Sequence, residues 1–525
     1  MQLPSSFLTL AVAVPMTFAA LMLAFSRWRG VRNIRLQQAL LVTAVTLNLG
    51  VALTVLTYTL QGNRMVYQLG LWPAPFGITV VADALTGIML TSTATLVAVI
   101  APYAFATMDY HRERFGFYPL ILFLVMGVNM AFIAGDLFNL YVSFEVMLMS
   151  SFVLLTLGGT PNQINGGIRY VLLNLLASLT LLTAAGMAYG TLGTLNFAHL
   201  AQRMDEAPLA IRTLLAGLMF IAFGGKAAIF PLFFWLPSSY HTPPPAVTAL
   251  FGGILTKVGV YTLYRTFPLL FPDLLIQWQT LIFIIAGLTM TIGVLGAFAQ
   301  PTIRRLLSFH IISQVGYMIM ALGVAVTDTR LGLSFGLAAG IIFVVHNMFV
   351  KTALMMAGGA VELEMGSGNL SQIGGLVGRQ PVLATLFFVA AFSLAGIPPS
   401  SGFGGKLSLL QITLGTQNYW IAGVSVFVSL LTTMSMIRIW QYSFWGKYPG
   451  SRAIAPPLSR GHHYREILIP TGVLVALSLT IGIFFGQALN IASIAADQVV
   501  DREGYIAAVH PQDTYALPDE HEAKE

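Results

Sequence analysis

The sequence predicts an all-α polytopic membrane protein of about fourteen transmembrane helices. Three observations carry that prediction. Of 525 residues, 56% are hydrophobic and 9% are charged, where soluble chains carry about 25% charged residues. The apolar residues come in runs of roughly twenty between short polar breaks, the length that crosses a hydrocarbon core of about 30 Å. Those runs are continuously apolar, whereas a β-barrel needs short alternating segments. The same composition sets aside soluble enzymes and nucleic-acid-binding proteins. There is no cysteine, which excludes disulfides, thiolate-bound zinc and cysteine-ligated iron–sulfur clusters.

Taken in order, the spans fall at 5–26, 36–60, 80–106, 117–134, 137–157, 167–191, 209–235, 244–268, 277–299, 303–326, 331–358, 382–415, 419–443 and 464–491. The first loop holds Arg27, Arg29, Arg32 and Arg35 without an acid, which places it in the cytoplasm by the positive-inside rule. Alternate counting puts Arg112, Arg114, Arg304, Arg305, Lys447, Arg452, Arg460 and Arg465 on that side, and both termini outside. The first span lacks the basic flank of a cleaved signal and is expected to be a retained anchor. Residues 61–79 alternate like strands around Pro73 and Pro75, which predicts an external hairpin. Residues 192–208 suit a short surface helix. From Asp497 onward, Asp501, Glu503, Asp513, Asp519, Glu520, Glu522 and Glu525 read as a polar, poorly ordered tail.

Two spans are interrupted by glycine and proline. The seventh reads GGKAAIFPLFFWLP and the twelfth SLAGIPPSSGFGGKLSLL, each with a Gly-Gly-Lys triplet at 224–226 and 404–406. Broken helices in corresponding positions of two halves point to an inverted-repeat transporter with its site at the breaks; the alternative is a pair of proline kinks.

The placement of lysine is the strongest functional signal. Of six lysines, Lys226, Lys257, Lys351 and Lys406 lie inside apolar spans, while arginine is kept mostly to loops and helix ends. A lysine at mid-bilayer costs about 2.5–3.5 kcal/mol, so four cost about 10–14 kcal/mol. A buried ammonium can release its proton, whereas a guanidinium stays charged, so this set suggests a proton-carrying route. One acid, Glu145, sits deep in a span, and a lysine partner would keep it ionised. A static ion pair that fixes helix packing is the competing reading of any single pair. His310, with Gln314 one turn on, and His346, with Asn347 and Lys351 sharing a face, suit a proton or water chain; either histidine alone is also explained by a hydrogen bond to a neighbouring helix. Asp83, Asp136 and His241 lie near span ends, as ion entrances or, more simply, as helix caps.

The strings FNLYVSFEVMLMSS, GGKAAIFPLFFWLPSSYHTPPPAVTALFGGILTKVGVYTLYR, HNMFVKTALMMAGG and SLAGIPPSSGFGGK together resemble the antiporter-like subunits shared by respiratory complex I and the Mrp-type multisubunit cation/proton antiporters, over roughly spans three to thirteen. FNLYVxFE followed by ILTKVGVY, in a chain of this length, looks most like the D-type branch of the Mrp subunits. The resemblance implies two inverted five-helix repeats, each with a half-channel through its broken helix. It divides the chain into 1–106, a first repeat at 107–268, a second at 269–443, and a last helix and tail at 444–525. By position Glu145 corresponds to the family's glutamate and Lys226 to its partner lysine. Lys257 corresponds to the connecting lysine and Lys406 to the terminal one. His346 and Lys351 fall where the family keeps linking polar groups, and His310 carries over less directly. The family's long lateral helix is not seen after the last span, which argues against the complex I subunit that bears it and against the large A-type Mrp subunit.

The expected protein is therefore a proton-translocating subunit of a bacterial plasma-membrane Na⁺/H⁺ antiporter, partnered by other subunits, H⁺, Na⁺ (or K⁺) and membrane lipids, and not by nucleic acid. No cofactor or metal is expected, and the chain itself is no oxidoreductase. The rival readings are a proton-pumping membrane subunit of an NADH–quinone oxidoreductase or related hydrogenase, and a self-sufficient solute transporter.

Overall fold

The computed structural model describes residues 4–28, 34–74, 76–324, 330–447 and 463–510. Arg29, Arg32, Pro75, Arg452, Arg460 and the acids from Asp513 onward lie outside the described residues. The chain runs through α1 (Leu10–Trp28) and α2 (Ile34–Thr59) into a hairpin of β1 (Met65–Gln68) and β2 (Thr79–Ala82). The strands are antiparallel, with Met65 opposite Ala82 and Gln68 opposite Thr79, so the expected hairpin forms. Next come α3 (Ala84–Thr107), α4 (Tyr110–Arg114), α5 (Phe117–Ile133), α6 (Leu137–Thr156), α7 (Pro161–Leu192) and α8 (Phe197–Glu206). The helix α8 answers the short helix expected at 192–208, and one of its faces is buried.

The middle of the chain folds as α9 (Leu209–Ala227), α10 (Trp235–Ser239), α11 (Pro245–Leu270), α12 (Pro272–Gln277), α13 (Gln279–Phe298), α14 (Ile303–Val324) and α15 (Arg330–Met365). Then follow α16 (Leu376–Arg379), α17 (Pro381–Ala395), α18 (Ser401–Gly415), α19 (Tyr419–Trp440), α20 (His463–Ile483), α21 (Phe485–Val500) and α22 (Arg502–Val509). Among the described residues, twelve helices are long and apolar enough to cross a membrane, and Phe117–Ile133 and Pro381–Ala395 are shorter apolar helices.

Three helices, α11, α14 and α15, are almost wholly enclosed by the others. Each is mostly apolar on every side, as a helix with no solvent or lipid face must be, so the few ionisable groups on them stand out. Close approach depends on glycine in places. A Cβ on Gly259 would stand 2.5 Å from the Ala227 nitrogen and 2.9 Å from the Phe223 oxygen, so α11 can lie against the end of α9 only with glycine there.

The polar contacts sort into two ends of the bundle. At one end Arg64 pairs with Asp501 at 2.9 Å, Arg502 with Asp205 at 2.8 Å and Arg212 with Asp273 at 3.4 Å. At the other, Arg112 reaches the Leu157 carbonyl at 2.9 Å, Arg304 pairs with Glu362 at 2.6 Å and Arg379 with Glu364 at 2.9 Å. The second end carries Arg114, Arg304, Arg305 and Lys447, the set that alternate counting places together.

The twelfth span is broken where its glycine and prolines predict, into α17 and α18 separated by residues 396–400. Three expectations change. The last span bends at Phe484 into α21. The helix α15 runs past 358 to Met365 and carries Glu362 and Glu364, held by Arg304 and Arg379. The tail is not poorly ordered from Asp497. Residues 485–509 form α21 and α22, because their polar groups bind other elements. Gln498 accepts a hydrogen bond from the Ala84 N–H at 2.7 Å and donates to the Thr59 carbonyl at 3.1 Å.

Candidate functional site

At the first break the backbone closes α9 without help from lysine. Ala228 adopts a left-handed conformation, φ 65°. The Ile229 N–H returns to the Gly224 carbonyl at 3.0 Å, and the Trp235 indole N–H donates to the Gly225 carbonyl at 3.0 Å. Two of the carbonyls left open at a helix end are thereby satisfied, and the Lys226 side chain takes no part in that task. Its ammonium donates to Ser178 Oγ on α7 at 2.8 Å and lies 5.3 Å from the centre of the Phe144 ring.

Glu145, one residue on in α6, is within electrostatic reach of Lys226. No ion pair joins them; Glu145 Oε1 is buried without a hydrogen-bond partner. The two groups are neighbours in an open arrangement, with Ser178 occupying the lysine.

At the second break the assignment is reversed. Lys406, in the second turn of α18, donates to the Leu394 and Ala395 carbonyls at 3.0 Å each and to Ser429 Oγ at 3.1 Å. It caps the C-terminus of α17, where open carbonyls and the helix dipole favour a cation. The two Gly-Gly-Lys triplets therefore stand on opposite sides of their breaks, Lys226 before and Lys406 after.

The enclosed helices carry the remaining groups. Lys257 of α11 donates to the Gly252 carbonyl at 2.5 Å. Lys351 of α15 is buried with no hydrogen-bond partner among the described residues, and feels the charges of Lys257 and Lys406. His346, one turn before it, contacts Ser401 Oγ through Nδ1 at 2.7 Å, Ser401 contacts Ser478 at 2.8 Å, and Ser478 contacts Ser393 at 2.9 Å. This run of hydroxyls, each able to accept and donate, ends beside the carbonyls that Lys406 caps. His310 of α14 contacts Ser435 through Nε2 at 2.8 Å. His346 Nε2, His310 Nδ1, Asn347 Oδ1 and both amide atoms of Gln314 are buried and unpartnered. Buried polar atoms without partners are rare and need an explanation.

The structure thus gathers Lys257, His346, His310 and Lys406 within electrostatic reach of Lys351, with Glu145 and Lys226 as a second group across Gly259. The serines at 178, 393, 401, 429, 435 and 478 escape sequence reading, because a serine inside a span carries no signal until its neighbour is known.

Sequence reading also missed Arg265, a buried guanidinium in the next-to-last turn of α11. It contacts both oxygens of Asp83 at 2.5 Å and Thr86 Oγ1 at 3.1 Å. Asp83 and Asp136 do cap helices, accepting from the Thr86 N–H at 3.0 Å and the Asn139 N–H at 2.6 Å. Burial pushes the Asp136 carboxyl up to about 6, against the pull of backbone hydrogen bonds from Asn139 and Phe138. His241, between α10 and α11, is pushed down to about 4 by burial and by the charges of Arg305 and Arg304.

Residues 134–432 match the family described as NADH:quinone oxidoreductase/Mrp antiporter, TM. The chain is similar to the D-type subunit of the Na(+)/H(+) antiporter of Alkalihalophilus pseudofirmus, 39% identical over 96% of this chain and 99% of the relative. It is also similar to that of Bacillus subtilis, 33% identical over 96% and 99%. A chain in the structure of the Mrp complex from Dietzia sp. DQ12-45-1b superimposes with a TM-score of 0.87 at 32% identity, covering 97% of this chain and 100% of that one. A chain of respiratory complex I from Thermus thermophilus shares the fold, with a TM-score of 0.79 at 23% identity over 94% and 99%. With more than half its length inside the matched region and relatives alike from end to end, the chain belongs to the NADH:quinone oxidoreductase/Mrp antiporter family of membrane subunits.

Proposed function

We propose that this chain is the proton-translocating subunit of a multisubunit Na⁺/H⁺ antiporter in a bacterial plasma membrane. The observation that carries the reading is the group of ionisable side chains Lys257, Lys351 and His346 buried on the enclosed helices, with half-buried Lys406 of α18 within reach of them. The end-to-end similarity to proteins named as D-type antiporter subunits supports a transporter rather than an enzyme, and other subunits as its partners.

In the proposed mechanism Glu145 and Lys226 form a switch. The pair is open here, with Lys226 on Ser178. Closing it to about 4 Å is worth about 4 kcal/mol at an effective dielectric of about 20, roughly a thousandfold in proton affinity. A proton released at this switch passes to Lys257, then to the Lys351/His346 region with His310 beside it, and leaves by Lys406. Water molecules partnering His310, Gln314, Asn347 and Lys351 fill the intervals, the usual way buried polar atoms are satisfied. We further read residues 107–268 and 269–443 as two inverted repeats, each with its own break. The basic end of the bundle is cytoplasmic and the N-terminus outside.

Cation/proton exchange in inside-out vesicles tests this. Glu145→Ala or Lys226→Ala abolishes exchange while the complex still assembles, with no dependence on NADH. Undiminished exchange in both variants overturns the switch, and proton movement seen only with NADH points to the redox-driven reading.

A further inference from the structure

A groove of about 520 Å³ opens on the outside of the bundle at its basic end, beside the first break. Its walls are Leu173 of α7, Phe233 and Phe234 of the break, Ile292 and Leu295 of α13, and Phe309 of α14. Leu173, Phe234 and Leu295 are exposed. Two cations border this apolar surface, Arg169 of α7 and Arg305 of α14. Both are exposed, and neither has a carboxylate partner among the described residues, in contrast to Arg304 beside one of them, which holds Glu362. The groove contains no acid among the described residues.

We propose that this groove binds an anionic phospholipid of the leaflet at the basic end. Two guanidiniums from different helices bordering one groove suit a phosphodiester, which each can contact through paired N–H donors. Basic pockets between transmembrane helices on the cytoplasmic side suit anionic head groups. The Phe233, Phe234, Leu173 and Leu295 side chains receive the acyl chains. A carboxylate-bearing segment of a neighbouring protein would satisfy the arginines too, but it would not require an apolar trough continuous with exposed leucine and phenylalanine.

The site has a mechanical position. The floor of the groove is the break itself, pinned to α13 by the Phe230 N–H donating to Thr289 Oγ1 at 3.0 Å, and the break begins two residues after Lys226. A lipid seated there stiffens the segment that presents Lys226. This consequence rests on the proposed switch; the binding site does not.

The test uses the intact purified complex, mildly delipidated and then incubated with phosphatidylglycerol or phosphatidylcholine, with retained lipid counted by mass spectrometry. Arg169→Gln/Arg305→Gln retains about one fewer phosphatidylglycerol per copy than the wild type, and phosphatidylcholine is not retained by either. The control pair Arg35→Gln/Arg114→Gln, away from the groove, retains as much as the wild type. Equal phosphatidylglycerol counts in the groove variant and the wild type, or equal retention of phosphatidylcholine, overturn the proposal. So does loss of another protein of the complex from the groove variant with its lipid count unchanged, which would assign the arginines to a protein interface. Lipid counting is independent of exchange activity, so a failed switch and a failed lipid site give different results.

Discussion

Arg265 grips both carboxylate oxygens of Asp83, 182 positions away in the chain, at 2.5 Å each. The guanidinium also lies 5.7 Å from the centre of the Tyr261 ring and 5.8 Å from that of Tyr505, so one buried cation joins α3, α11 and α22. Removing one member of a buried pair leaves an uncompensated charge and costs about 3–5 kcal/mol. Arg265→Gln is therefore expected to lower the thermal unfolding midpoint of the purified protein strongly. Adding Asp83→Asn, which removes the orphaned charge and keeps a good capping residue, recovers much of the loss. An unchanged midpoint in Arg265→Gln sinks the assignment.

Lys351 and Lys406 should separate stability from transport. Lys406 donates to two helix-end carbonyls, and Lys406→Met leaves that of Leu394 open while Ser429 still serves Ala395, at a cost of about 1–3 kcal/mol. Lys351 has no hydrogen-bond partner among the described residues, and Lys351→Met replaces a lone buried ammonium by a thioether of similar length. That exchange is expected to be neutral or stabilising. Both variants lose cation/proton exchange. Unfolding midpoints measured beside vesicle assays check the pair, and a Lys351→Met protein less stable than Lys406→Met contradicts it.

Gly402 makes room for His346. A Cβ there would lie 1.9 Å from the Ser393 carbonyl oxygen and 2.8 Å and 2.9 Å from His346 Cε1 and Nε2. Gly402→Ala therefore displaces both the imidazole and the second break, and the expected result is loss of exchange with lowered stability. Gly186, within the C-terminal third of α7, would have nothing within 4 Å of a Cβ, so Gly186→Ala is expected to be tolerated, gaining about 0.5–1 kcal/mol. Equal behaviour of the two variants refutes the packing argument.

Asp136 and His241 give opposing pH dependences. The Asp136 carboxyl, raised from 3.8 to about 6, contributes stability that is complete below pH 3.8 and is lost as pH rises through 6. His241, lowered from 6.5 to about 4, contributes stability that is complete above pH 6.5 and is lost as pH falls through 4. Their slopes nearly cancel between pH 4 and 6, each limited to about 1.4 kcal/mol per pH unit. Asp136→Asn should uncover stability that rises with pH in this window, and His241→Asn stability that falls. Unfolding midpoints at a series of pH values decide it, and parallel curves for both variants would exclude the assignments.

The spans were readable because runs of apolar residues have one physical meaning at this length. The breaks were readable because glycine and proline cannot continue a helix unaided. What escaped depends on long-range partners. Asp497–Val509 looks like a solvated tail when judged by charge, yet Gln498, Asp501 and Arg502 spend their polarity on Ala84, Arg64 and Asp205. Arg265 reads as a residue near a helix end until Asp83 appears beside it. Lys226, matched to Glu145 by the resemblance as a pair that opens and closes, rests on Ser178, a choice between two acceptors that spacing does not encode.

The Gln498 clasp bears on how the protein is made. A chain emerging from the ribosome exposes the Thr59 carbonyl and the Ala84 N–H early, and the side chain that answers both arrives 414 residues after Ala84. Until then Arg64 and Asp205 also wait for Asp501 and Arg502. An unfinished product thus carries an open backbone N–H at Ala84 and unmatched charges at the hairpin end. These late turns act as a seal on the finished bundle, and a stop codon just before residue 498 should shorten the protein's lifetime in the membrane out of proportion to the length removed.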